Sequence, residues 1–388
     1  ARRGECVSAK ARPTMEELLM TAPVLFEEIA AASGKLGRIT LNVESTLNSL
    51  NLDMVDLLQA QLDLWAHDEA ICAVFIDGAG EKAFCAGGDV QALHASAVAT
   101  PGGPCDYAET FFAREYRMNY TLHTYSKPIV CWGHGIVMGG GLGVLAACSH
   151  RIVTEKTRIA MPEITIALLP DVGGSWFLNH MPGSAGEFLA LTGASINATD
   201  AIYTGIADRF IVSEHKEALV KKLLSQAFTS DSESNHALVR HALRPFAEQS
   251  IGSWPSGQVE PHMATINALC DGDSVHDIID NITGQVTDDP WLSKARDSLS
   301  HGSKFAARWI HRQLWETRHA SLKEVFQAEI LLVTNVVRNP EFAEGVRALL
   351  IDKDRTPAWQ YANSRDVPEA ILDGMFTPPW PQNPLADL

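Results

Sequence analysis

Two short glycine-rich turns constrain this chain more than any other feature. They are Phe84-Cys85-Ala86-Gly87-Gly88-Asp89 and Met138-Gly139-Gly140-Gly141-Leu142-Gly143. Each follows an apolar, strand-like run, Ala73-Val74-Phe75-Ile76 and Pro128-Ile129-Val130-Cys131-Trp132, and each leads into a segment that can continue as a helix. A strand, a glycine turn and a helix, met twice, imply layered α/β structure. They also imply chemistry, because free backbone N–H groups at two such turns can converge on one developing negative charge. Gly88, freed of Cβ crowding, and Gly140, at the start of a helix with its dipole behind it, are the candidate donors. Taken singly, each turn reads equally well as a tight connection and nothing more.

The alternation of short β-type runs with helical stretches continues from about residue 24 to 212. Leu52, Val55, Leu58, Leu62 and Trp65 share one helical face, with Asp53, Asp56 and Asp63 opposite. A further strand is expected over residues 151–154 after a helix over 142–148, and Thr199 and Asp200 open a later helix. Composition turns polar around Thr229-Ser230-Asp231-Ser232-Glu233-Ser234-Asn235 and again over 250–261. This places a domain boundary at 229, between an α/β domain over 22–228 and a mostly helical domain with a proline-rich tail over 229–388; residues 1–21 form an N-terminal extension. Helices are expected over 276–282, 291–299, 304–316 and 321–337.

With 388 residues, 46% of them hydrophobic, the chain can bury a large core. Its 31 basic against 47 acidic residues, a formal charge of −16, repel nucleic acid and anionic membrane surfaces. No apolar run is long enough for a membrane span. Seven scattered cysteines without a C-x-x-C pair suggest neither a disulfide framework nor a zinc site, and the histidines show no metal-ligand spacing. A cytosolic location is expected; Arg2, Arg3, Lys10 and Arg12 near the start keep the mitochondrial matrix as the alternative.

A third segment, Met161-Pro162-Glu163 through Pro170-Asp171-Val172-Gly173-Gly174, carries two carboxylates in apolar surroundings, each directly after a proline. Desolvation there raises a carboxylate's pKa and suits it to proton transfer near neutral pH. The plainer alternative is that Glu163 caps a helix and Asp171 caps the segment after Gly173.

Together the three segments resemble the crotonase (enoyl-CoA hydratase/isomerase) superfamily, and the third resembles its 3-hydroxyisobutyryl-CoA hydrolase branch. Gly37-Arg38-Ile39-Thr40-Leu41-Asn42 at the start and, more loosely, Leu350-Ile351-Asp352-Lys353-Asp354 near the end extend the likeness. The resemblance implies a spiral of ββα units with a helical C-terminal part that covers or completes an acyl pocket. It implies an acyl-CoA substrate, no metal, and no cofactor beyond the CoA carried by that substrate. It implies Gly88 and Gly140 as oxyanion donors, Glu163 and Asp171 as catalytic carboxylates, and Glu115, in Arg114-Glu115-Tyr116, as an acidic substrate-site position. Gly87, Asp89 and Gly139 complete the expected substrate contacts, and a homo-oligomer is among the assemblies implied. Where a hydratase has a glutamate just after its glycine triplet, this chain has Leu142-Gly143. That departure favours thioester hydrolysis over hydration, with hydratase or isomerase activity on a related acyl-CoA as the alternative.

Two generic readings compete. Gly141-Leu142-Gly143-Val144-Leu145-Ala146 fits the dinucleotide pattern G-x-G-x-x-A, with Glu155 at the end of the next strand. A nicotinamide-binding unit explains neither the first turn nor the paired carboxylates. Cys85, beside the first turn, is a nucleophile by position alone, with no histidine near it in sequence.

Overall fold

A computed structural model describes residues 21–388, so expectations for the N-terminal extension fall almost wholly outside the described residues. Ten strands form two sheets: β1 Val24–Ala30, β2 Lys35–Leu41, β3 Ile71–Gly78, β4 Ala83–Cys85, β5 Ile129–Gly133, β6 Ile136–Met138, β7 His150–Val153, β8 Arg158–Ala160, β9 Ile196–Asn197 and β10 Arg209–Phe210. The larger sheet runs β1-β2-β3-β5-β7-β10 and the smaller β4-β6-β8-β9. Consecutive strands alternate between the sheets, β3 then β4, β5 then β6, β7 then β8, and a helical segment follows each pair. Each ββα unit therefore advances both sheets by one strand, which is the spiral.

β3 shows why the chain takes this form. All eight of its residues are buried. Val74 and Ile76 face the main core, while Ala73 and Phe75 point the other way to meet Val130, Trp132 and Ile152 of neighbouring strands. That alternation is the period-two signature of a strand covered on both faces, and it explains the continuous apolar run in the sequence. The second face is closed by helices Lys216–Leu224 and Ser232–Gln249, the latter through Val239, Ala242 and Leu243.

That last contact packs a helix from beyond the expected boundary at 229 onto the sheet before it. The polar stretch there holds a helix cap, with the Asp231 side chain accepting from the Ser234 N–H, and the helix it starts lies on the sheet of the preceding residues. The main core likewise runs without a break from Val24 to Leu385. Two small corrections have local causes. Helix Gly140–Ala147 begins two residues earlier than expected, directly in the glycine turn. Helix Ala198–Tyr203 is capped by Asn197, not Thr199, in a capping box with Asp200. The C-terminal helices over 290–301, 304–317 and 322–338 match the expected segments to within a few residues. No described helix is long and apolar enough to cross a membrane.

Candidate active site

The order of the smaller sheet assembles the site. β4, β6 and β8 are parallel neighbours, pairing Cys85 with Val137 and Met138 with Ala160. The turns after these three strands, at 86–89, 138–140 and 161–163, therefore emerge side by side at their carboxyl ends, where α/β sheets present ligand sites. They line a cavity of about 210 Å³, closed by Leu93, Phe111, Phe112 and, from the C-terminal region, Leu349 and Leu350.

One wall is backbone. Gly87 and Gly139 have φ of +114° and +48°, which favour glycine. Leu50 pairs with the first turn, its N–H donating to Gly87 O and its carbonyl accepting from Asp89 N–H. Among the described residues, no acceptor takes the N–H of Gly88 or of Gly140, which is the first residue of its helix. A Cβ built on Gly140 would lie 3.5 Å from Gly88 N, so the two free donors flank one small volume.

The facing wall is acidic. A Cβ on Gly139 would stand 3.2 Å from Glu163 Oε1, and one on Gly140 only 2.4 Å from Glu115 Oε1. Glu115, Glu163 and Asp171 are all buried, and among the described residues none pairs with a basic side chain. Burial, reinforced by the neighbouring Asp171, pushes the Glu163 and Glu115 carboxyls well above their usual range. Burial pushes Asp171 up to about 7, and the Tyr116 hydroxyl, donating to Asp171 Oδ2 at 2.7 Å, works against that rise. Among the described residues, Glu163 Oε2 and Glu115 Oε1 have no hydrogen-bond partner.

Neither carboxylate acts as a helix cap. Glu163 opens the 3-10 turn Glu163–Ile166 without a capping bond from its side chain, and the turn exits through Ala167 at φ +50°. The helix Gly174–Asn179 after Asp171 is capped from a distance by Glu329, whose carboxylate accepts from Gly173 N–H and Ser175 N–H at 2.8 Å each. Glu329 is completely buried, and burial pushes its carboxyl up to about 8. Sequence reasoning missed both Tyr116 and Glu329. The signal for Glu329 was present: it occupies the apolar stripe of helix Leu322–Arg338, with Phe326, Ile330 and Val333.

The structure brings Gly87, Gly88, Gly139, Gly140, Glu115, Glu163 and Asp171 to the cavity wall. Asp89 is the exception. Its side chain accepts from Ala92 N–H and caps helix Val90–Ala99, off the cavity wall, because a carboxylate at that position satisfies a free helix-terminal donor. Cys85 is buried, with its thiol pushed up to about 12, so the nucleophile reading fails. The dinucleotide reading fails as well. A Cβ on Gly141 would come within 2.3 Å of Cys85 O, so Gly141 itself is packed against the neighbouring strand, and Glu155 accepts from the Ser213 N–H and hydroxyl.

Gly143, where a carboxylate is missing, proves to be occupied space. A Cβ there would lie 2.5 Å from Cβ of Val172, a β-branched residue held at φ +53°. The strained loop 171–173 has moved into the volume that a longer side chain would need.

Paired free N–H donors facing buried carboxylates, at the edge of a ββα spiral, define an acyl-transfer or acyl-CoA type of site. The enoyl-CoA hydratase/isomerase family profile matches residues 36–376, and the chain belongs to that family, with the crotonase fold. Within it, the chain is 38% identical over 355 residues to the mitochondrial 3-hydroxyisobutyryl-CoA hydrolase of Danio rerio, covering 91% of this chain and 89% of that one. It is 37% identical over 350 residues to the human enzyme of the same name, covering 90% and 88%. Among solved structures it is similar to a carnitinyl-CoA dehydratase from Mycobacterium thermoresistibile (31% identity, TM-score 0.83, 95% of this chain and 100% of that one). It is also similar to an enoyl-CoA hydratase from Rhodobacter sphaeroides (32%, TM-score 0.79, 92% and 98%).

Proposed function

We propose that this protein hydrolyses a short 3-hydroxyacyl-CoA thioester, 3-hydroxyisobutyryl-CoA by the names of its curated relatives, to the free acid and CoA. The observation that carries the reading is the pairing of two free backbone donors with Glu163 and Asp171 across one cavity, with no carboxylate at Gly143. The thioester oxygen sits between the N–H groups of Gly88 and Gly140, which hold the charge that develops there. Glu163 either attacks the carbonyl, giving an anhydride, or activates a water molecule. Asp171, oriented by Tyr116, assists proton transfer to the departing thiolate. Glu115 accepts a hydrogen bond from the substrate's 3-hydroxyl, and burial makes that pairing selective.

A hydratase reading draws on the names of the two solved neighbours. It requires an acid/base group just after the glycine triplet, and there the chain has Gly143, with Val172 filling the volume beside it. Free thiol release, followed alongside loss of enoyl absorbance over a panel of acyl-CoA thioesters, separates the two. Thiol release without enoyl turnover is expected; enoyl turnover alone overturns the hydrolase reading. Under single turnover, ¹⁸O passing from labelled enzyme carboxylate into the product acid marks the anhydride route. For the compartment we keep the cytosol, with the matrix of the mitochondrial relatives as the alternative, and subcellular fractionation distinguishes them.

A further inference from the structure

Thioester hydrolysis near neutral pH produces one proton more than the products keep. The acyl C–O bond forms and the C–S bond breaks; one proton of the attacking water ends on sulfur. The other leaves the new acid, because a carboxylic acid ionises near pH ~4 whereas a thiol keeps its proton to about pH 8.5. On the proposed function that proton is released among Glu115, Glu163 and Asp171, which are buried and, among the described residues, have no basic partner.

One face of helix Asp106–His123 leads away from this cluster. Glu115, Asn119 and His123 follow one another at intervals of four residues, so they lie in a row with steps of about 6 Å. Each carries a buried polar atom without a hydrogen-bond partner: Glu115 Oε1, both Oδ1 and Nδ2 of Asn119, and His123 Nε2. Asn119 is completely buried, while His123, at the end of the helix, is half-buried and reaches the surface layer. The loop 171–173 runs beside this row. Asp171 is tied to Tyr116; a Cβ on Gly143 would lie 3.3 Å from Asn119 Nδ2 and against Val172; a Cβ on Gly173 would lie 3.6 Å from His123 Nε2.

A buried amide with neither end satisfied is costly, and buried polar groups of this kind are met by ordered water. We infer that Asn119 and His123 hold a file of water molecules from the carboxylate cluster to solvent, and that this file carries away the proton released in each turnover. The inference rests on the hydrolase reading. Asn119 is a positioning residue that orients the waters. His123 relays, accepting a proton at Nε2 while releasing one from Nδ1. Desolvation, with the positive charge of Arg151 adding to it, holds its pKa down at about 4, so the ring stays neutral and does not trap the proton. The apolar ring of Phe326 meets it edge-on.

The test begins with thiol release by the wild-type protein. Its absence overturns the hydrolase reading and the proton file together, whereas the variants test the file alone. Given hydrolysis, His123→Ala and Asn119→Leu are each expected to lower kcat by about tenfold or more, as for loss of a proton-transfer group. KM should stay within about twofold, since binding is untouched. The solvent deuterium isotope effect on kcat should rise in both, and added imidazole should restore His123→Ala. Asn119→Ser, which keeps room and partners for water, should retain most of the activity. Wild-type kcat in His123→Ala, or a loss that imidazole does not restore with an unchanged isotope effect, overturns the inference. Should Asn119→Leu fail to fold, His123→Ala decides alone.

Discussion

The two walls of the cavity are built on opposite principles. The glycine wall, residues 87–88 and 139–140, uses backbone donors whose position follows from adjacent parallel strands β4 and β6. Its partial charges are fixed by local geometry and change little with pH. The acidic wall draws Glu115 from a helix, Glu163 from a 3-10 turn and Asp171 from a loop, and Glu329, a residue 158 positions beyond Asp171, clamps that loop. Its charge state is set by burial and by carboxylates crowding one another. On the proposed function the difference separates two tasks: a permanent electrostatic cradle for the oxyanion, and a titratable partner that gives and takes protons.

Glu163→Gln should break the comparison most severely. It keeps shape and burial but removes the carboxylate proposed to react, so thiol release should be abolished while acyl-CoA binding, followed by calorimetry, remains; full activity would remove Glu163 from its role. Gly88→Pro deletes one donor from the other wall and should cost about 10²–10³ in kcat. A smaller loss would mean that a single N–H suffices. Gly143→Glu places a side chain against Val172 and should destabilise the fold by about 1–3 kcal/mol, as overpacking does. It should add no hydratase activity, and measurable hydration of an enoyl-CoA by that variant would show that Val172 yields easily.

Tyr116→Phe sharpens the comparison through pH. Removing the hydroxyl takes away the bond that lowers the Asp171 pKa, so the alkaline limb of the kcat profile, where Asp171 loses the proton it passes to the thiolate, should move to higher pH by about one unit. A limb that stays in place would show that another group sets it. The smallest effect belongs to Glu329→Gln. The folded-state carboxyl titrates at about 8, above its ordinary value of 4.5, so the native chain holds this proton more tightly than the unfolded one. Its contribution to stability is complete below the lower value and is lost as pH rises towards 8. The Gln variant should show a flatter decline of Tm between pH 5 and pH 8 than the wild type, measured by scanning calorimetry in the same buffers.

How much of this was legible before folding depends on how local each feature is. Strands β3, β5 and β7 announced themselves as apolar runs, and the C-terminal helices by their periodic faces. Gly87, Gly88, Gly139 and Gly140 stood out because a positive φ or a close approach needs glycine whatever surrounds it. Asp89 was misread because a carboxylate beside a glycine turn looks the same in sequence whether it meets a ligand or caps the next helix. The polar stretch at 229 is ambiguous in sequence for a related reason: Ser, Asp and Asn are both loop formers and helix caps.

The sequence by itself determined the strand and helix order, the two glycine turns and the presence of acids in apolar segments, since all three are written in short runs of neighbouring residues. Only the tertiary structure decided that β4, β6 and β8 lie side by side, and therefore that the three turns meet. It alone showed Tyr116 on Asp171, Glu329 beneath the loop and Val172 filling the volume at Gly143. The reason is physical. Burial and mutual repulsion among carboxylates depend on what surrounds each group in space, and the chain brings those surroundings from residues more than a hundred positions away.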